Sequence, residues 1–180
     1  MDDSPGKLEA DLNGLSVIEE RGLLIASLRY FDRADRFVAA VQETAGRCLP
    51  EPLQALEVEL ASGAQCILAW RSPTETLLLT SAGAAFAELA QRVAAELDGC
   101  MVDQTGGISV LRVRGTRARD LLLRLGAATA IPGVGEARGA RLAELPLLTV
   151  CVQAGEFLLL VERVYANHLL LWIDATTADL

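Results

Sequence analysis

Residues 102–125, VDQTGGISVLRVRGTRARDLLLRL, decide how the rest of the chain is read. Ser109, Leu111 and Val113 alternate with Val110, Arg112 and Arg114 in the two-residue period of a strand. Gly115 ends that run, and Thr116 follows as a residue able to cap a helix. Ala118, Leu121, Leu122 and Leu125 then fall at i, i+3, i+4 and i+7, one apolar stripe, with Gly126 where a left-handed C-terminal residue is expected. A strand therefore feeds directly into a helix that covers a sheet face. The stretch contains no recognisable catalytic set.

Working outward, the same unit is found upstream. Leu24, Ala26, Leu28 and Tyr30 alternate, and Asp32 is placed to cap a helix striped by Ala34, Phe37, Val38, Val41 and Ala45. Leu56, Val58 and Leu60 alternate with Glu57 and Glu59 and turn at Ser62-Gly63 into a return strand over 65–70. A short apolar strand over 77–79 precedes a helix capped by Ser81, with Phe86, Leu89, Ala90, Val93 and Leu97 on one face. Ordered structure is expected from Gly22 onward, with residues 1–14 as a flexible N-terminal tail.

Downstream the order is replayed: strand 108–114, helix 117–125, a loop with Pro132, Gly133 and Gly135, strands over 138–143, 147–152 and 157–161, and a helix over 165–175. Residues 75–80 match 156–161 at an offset of 156 − 75 = 81, and Gly22 and Asp35 match Gly107 and Asp120 at 107 − 22 = 85. The expected fold class is α+β. Two similar strand-helix-strand-strand-strand-helix halves, about 22–99 and 102–178, pack as one domain over 15–180.

Hydrophobic residues make up 52% of the 180, enough for a core that removes roughly 70% of the unfolded surface from water. The longest apolar runs are only about five residues, against roughly 20 for a membrane span, so no membrane contact is expected. The start, MDDSPGKLEADLNG, is acidic where a signal peptide is basic and then apolar, which predicts a cytoplasmic protein. A net charge of −8 opposes phosphate backbones, so no nucleic-acid partner is expected. Arg112, Arg114, Arg117, Arg119 and Arg124 against Asp120 are a local basic exception, either a solvated face or a surface for an acidic partner or anionic ligand.

Cys48, Cys66, Cys100 and Cys151 lack metal-ligand spacing, so no metal is expected, and Cys66, Cys100 and Cys151 lie in or beside apolar strands as reduced, buried thiols. His168, the single histidine, lies on the last helix without an identifiable orienting partner. Asp103 suits an Asx-type turn. Gly133, Gly135 and Gly139 follow no clear strand and fail the dinucleotide fingerprint. Leu169 to Ile173 are consecutively apolar and wrap the helix circumference, so either a second layer of the domain or a partner subunit must cover one face. No catalytic residue is assigned, and the candidate interface residues are Arg112, Arg114, Arg119, Leu170 and Trp172.

Several segments together resemble one family. They are 66–79 (CILAWRSPTETLLL), Val102-Asp103-Gln104-Thr105, the run from Leu111 to Leu122 (LRVRGTRARDLL), 140–146 (ARLAELP) and 161–172 (VERVYANHLLLW). In this order and spacing the chain is similar to the gamma subunit of heterotetrameric sarcosine oxidase, a family similar in fold to the folate-binding domain of aminomethyltransferases. It departs at Gly107-Ile108, where members often carry an Arg, and at Arg138-Gly139-Ala140, where they carry Cys-Ala-Gln-Thr.

The resemblance implies a non-catalytic accessory subunit that supports assembly of a flavoprotein oxidatively demethylating sarcosine. Flavin, NAD and tetrahydrofolate would belong to the complex, with none bound by this chain alone. Its partners would be the alpha, beta and delta subunits, or a second copy of itself. The alternative implied is a stand-alone folate or one-carbon-binding protein of the aminomethyltransferase-like group.

Overall fold

Strands alternate between two environments in this protein, and the alternation assigns each residue to a layer. The computed structural model describes residues 14–60 and 62–178; the tail expected over 1–14 lies, but for Gly14, outside the described residues. Among the described residues the chain runs β1 (Leu15–Glu19), β2 (Leu24–Tyr30), α1 (Arg36–Ala45), β3 (Ala55–Glu59), β4 (Gln65–Ser72), β5 (Glu75–Thr80) and α2 (Gly83–Val93). It continues β6 (Gly99–Asp103), β7 (Ile108–Gly115), α3 (Ala118–Leu125), β8 (Ala137–Leu142), β9 (Leu145–Gln153), β10 (Glu156–Glu162) and α4 (Ala166–Thr177). Two antiparallel sheets result, ordered β3-β4-β5-β2-β6 and β1-β7-β10-β9-β8.

Ala26, Leu28 and Tyr30 of β2 face outward onto α1 and α2, packing with Phe37, Val41, Leu89 and Val93. Leu111, Val113, Leu159 and Val161 of the other sheet likewise face α3 and α4, against Leu121, Leu122, Leu169 and Ile173. The opposite faces meet each other: Ile25, Leu77 and Leu79 pack on Val110, Leu148, Leu158 and Leu160. The layers therefore run helices, sheet, sheet, helices, and the shared core is sheet against sheet. This is the expected α+β architecture, and the central strands read as continuous apolar runs because they are covered on both faces.

The repeat has an exchange built into it. β6 precedes β7 in the chain but pairs with β2, whereas β1 precedes β2 but pairs with β7. Each half hands its first strand to the other half's sheet. The pseudo-dyad passes between β3 and β8, where Gln54 and Glu136 form a bridge. There the Ala55 N–H donates to the Gly135 carbonyl and the Ala137 N–H to the Leu53 carbonyl, each at 2.8 Å.

Four local expectations are corrected. Asp32 does not cap α1: its carboxylate accepts the Ala34 N–H, and Asp98, a neighbour only in space, accepts the Arg36 and Phe37 N–H groups at 2.8 and 3.0 Å. Leu97 is not on α2, which ends at Val93; it is 96% exposed. Gly126 is not left-handed but extended (φ −172°), bridged to Leu142, and a Cβ there would lie 2.4 Å from the Leu142 side chain. A strand precedes Gly22, the expected start of order: β1 pairs with β7, nearly a hundred residues away.

Candidate functional site

The polar groups of the sheet-sheet layer form two clusters related by the pseudo-dyad. In the second half, Arg112 of β7 lies opposite Leu158, and Arg114 lies opposite Glu156. Glu156 accepts hydrogen bonds from Arg112, from Arg114 at 2.9 Å and from Gln153 at 2.6 Å, while Arg112 also donates to Glu20. The Glu156 and Arg112 side chains are only 8% and 17% exposed. Burial pushes the Glu156 carboxyl up, but the donors Arg114, Gln153 and Arg112 outweigh it and hold the group below the usual carboxylate range. Burial likewise works against the Arg112 charge, and Glu20 and Glu156 reverse it.

In the first half the counterpart of Glu156 is Glu75, again at the start of its strand. It accepts from the Ser27 hydroxyl at 2.5 Å and from Arg71 at 3.3 Å, with Arg29 3.7 Å away. Ser27 stands where Arg112 stands in the repeat, so this cluster has no counterpart of that largely buried cation.

Two clefts open between the sheets at pseudo-equivalent places, with volumes of about 240 and 290 Å³. The first is lined by Glu57, Gln65, Thr80, Ser81 and Arg112. The corresponding wall of the second is Gly139, Pro146, Val161 and Glu162. Both clefts carry charged side chains, Glu57 and Arg112 in the first and Arg71 and Glu162 in the second.

The predicted interface residues are not gathered in one place. Arg112 and Arg114 are joined through Glu156, so two of the five local arginine charges are matched by Glu20 and Glu156. Arg119 is exposed on α3 beside the layer holding Cys151. On α4, Leu169 and Ile173 are buried, Leu170 is half-buried against the core, and Leu171 and Trp172 are 70% and 46% exposed. The domain's own sheet thus covers one side of that helix. Val164, Tyr165, exposed His168, Leu171 and Trp172 share the opposite side, with the His168 and Trp172 rings 6.4 Å apart.

Sequence reasoning missed Glu20, Glu156, Gln153, Glu75 and Asp98. No spacing rule reaches across the strand pairings that unite Arg112 with Glu20 and Glu156. Asp103 does form its turn, accepting the Thr105 N–H at 2.8 Å; the Thr105 hydroxyl, with this N–H, holds the Asp103 carboxyl below its ordinary range.

All four cysteines are free; Cys66 and Cys151 are buried but Cys48 and Cys100 are exposed, correcting the expectation for Cys100. Burial pushes the Cys66 thiol up to about 12. The loop glycines do not cradle a phosphate: the Gly133 N–H donates to Glu136 and the Gly135 N–H to the Cys151 carbonyl. Among the described residues no group of three or more His, Cys, Asp or Glu is placed to hold a metal, and no helix is long and apolar enough to cross a membrane.

Fold and clusters together define a duplicated α+β domain, two exchanged-strand units joined face to face by their sheets. The chain belongs to the sarcosine oxidase, gamma subunit family, whose model matches residues 31–179. It is similar in fold to a chain of the heterotetrameric sarcosine oxidase from Corynebacterium sp. U-96 in complex with pyrrole 2-carboxylate. That match has a TM-score of 0.80 and 22% identity over 94% of this chain and 87% of the other. It is also similar to the glycine cleavage system aminomethyltransferase T from Bartonella henselae, with a TM-score of 0.67 and 17% identity. That likeness covers 89% of this chain but 45% of the transferase, so the chain spans under half of that protein. No curated protein sequence matches the chain.

Proposed function

We propose that this chain works in the cytoplasm as the gamma subunit of a heterotetrameric sarcosine oxidase, a non-catalytic member that supports assembly of the alpha, beta and delta subunits. Flavin, NAD and tetrahydrofolate belong to those subunits. The observation that carries this reading is the family match over residues 31–179. The chemistry of the chain supports it: its buried charges are spent on one another, and its glycine-loop N–H groups on its own acceptors. A stand-alone folate-binding role rests on shared fold alone, and the chain lacks more than half of the transferase's length.

The test is affinity purification of the tagged chain from its own cells grown on sarcosine, followed by native mass and a visible spectrum. The expected result is a yellow assembly several times the mass of this 19.2 kDa chain, from which the isolated chain dissociates colourless and inactive on sarcosine. A colourless monomer or dimer, in cells where sarcosine oxidation proceeds, would sink the reading.

A further inference from the structure

The two helix layers differ in what they turn outward. Ala85, Leu89 and Val93 are buried positions of α2, and Leu169, Ile173 and Thr177 are those of α4, which aligns the two helices at an offset of 169 − 85 = 84. The outward positions then match in order, Ala84, Ala87, Glu88 and Gln91 on α2 against His168, Leu171, Trp172 and Ala175 on α4. One helix shows water small and polar groups, and its counterpart shows a leucine and a tryptophan. The fold does not require them, since α2 holds the same place without them.

The patch extends beyond one stripe. Val164, Tyr165, Leu171 and Trp172 are 79%, 40%, 70% and 46% exposed, and exposed Leu123 lies on α3, which packs beside α4. These five are the majority of the nine exposed large apolar side chains among the described residues. Together they present roughly 600 Å² of surface, the upper end for the largest apolar patch of a monomer.

Charge and order along the helix select the occupant. From Ala166 to Thr177 the only Asp, Glu, Lys or Arg is Asp174, and it stands to one side of the stripe His168, Leu171, Trp172, Ala175. Arg119, Asp120 and Arg124 are exposed on α3, so the rim carries both signs. An apolar centre inside a mixed rim suits an isologous contact, in which each group meets a copy of its own surface. Two α4 helices packed antiparallel about a dyad between Leu171 and Trp172 set each leucine against the other copy's tryptophan. The same dyad sets each His168 ring against the other copy's Ala175, large against small.

We infer that the chain on its own pairs with a second copy of itself through this α3–α4 face. The patch falls short of the about 800 Å² per partner of a standard interface, so the pair is weak, with a dissociation constant of about 10 μM. Each chain carries a net charge of −8, so two copies repel at long range while their contact is apolar. Added salt screens the repulsion and tightens the pair, the reverse of its effect on a surface built for an oppositely charged partner.

The test is sedimentation equilibrium of the full chain alone, from about 1 to 200 μM, in low and in high salt. It compares the wild type with Leu171→Ala/Trp172→Glu, which gives α4 the residues that α2 carries at those places, and takes Phe31→Asp as the control. The expected wild type passes from monomer to dimer around 10 μM and does so at lower concentration in high salt. The double variant is expected to associate at least about tenfold more weakly, and the control to match the wild type. Circular dichroism and thermal unfolding at low concentration confirm that the double variant folds. A wild type still monomeric at the highest concentration, a dimer that the folded double variant leaves intact, or a dimer loosened by salt overturns the inference. So does a wild type monomeric alone whose double variant fails to join the co-expressed subunits of the enzyme, since that assigns the face to a heterologous partner.

Discussion

Leu53 and Gly135 occupy the same place in the two halves, each just before the bridge at the pseudo-dyad, and each has a left-handed backbone, φ 66° and φ 73°. At Gly135 the geometry is tolerated because there is no Cβ; at Leu53 it is strained, by roughly 1–2 kcal/mol for an L-residue. The strain is held by hydrogen bonding on both sides of the bridge, since the Leu53 carbonyl accepts the Ala137 N–H. At ordinary φ a glycine destabilises relative to alanine, but here the order is expected to reverse. Leu53→Gly should exceed Leu53→Ala in stability by about 1 kcal/mol, and Gly135→Ala should cost about 1 kcal/mol. Chemical denaturation of the three variants measures this; Leu53→Ala at or above Leu53→Gly would show that the left-handed turn relaxes freely.

At the scale of elements, the ion cluster ties β1, β7 and β10 into one unit, because Glu20 follows β1, Arg112 sits on β7 and Glu156 opens β10. Glu156→Ala leaves Arg112 with half its partners in a largely dry place, and a loss of about 2 kcal/mol is expected after discounting for the exposed Arg114. The pH dependence follows in sign. Glu156 titrates lower in the folded chain than in the unfolded one, so its stabilisation is present above the unfolded carboxylate range and is lost as pH falls through the folded value. Between about pH 5 and 3, wild type should therefore lose stability more steeply than Glu156→Gln in paired denaturation series; parallel slopes would remove Glu156 from the acid response. This cluster also marks the limit of what periodicity reveals. The two-residue period around Leu111 marks a strand without any structure, whereas the run from Phe157 to Val161 is apolar throughout and does not say which residues face the helices. Arg112 is equally in register as a solvated position or as a buried one, and only pairing with β1 and β10 decides between them. β1 and β6 escaped notice for the same reason: five-residue edge strands carry little pattern of their own, and their partners lie in the other half of the repeat.

For the whole molecule, strand exchange makes the two halves mutually dependent. A half-chain of residues 1–95 contains β1 but lacks β7, with which β1 pairs; it has β2 but lacks β6, and α1 without the Asp98 carboxylate that receives its first N–H groups. Residues 96–180 have the complementary deficits. Each half also exposes the apolar inner face of its sheet, where Ile25, Leu77 and Leu79 would lose Val110, Leu158 and Leu160. Burial of that layer is worth roughly 1.5–3 kcal/mol per large side chain, comparable to the whole net stability of a domain when several are lost together. Neither fragment is expected to unfold cooperatively alone. Mixed or co-expressed, they should form a one-to-one complex with the mass of the intact 19.2 kDa chain and its circular dichroism, melting at a temperature that rises with concentration as a bimolecular fold requires. A half that folds cooperatively by itself, with its sheet amides protected as in the intact protein, would mean that the exchanged strands decorate two independent units rather than bind them into one.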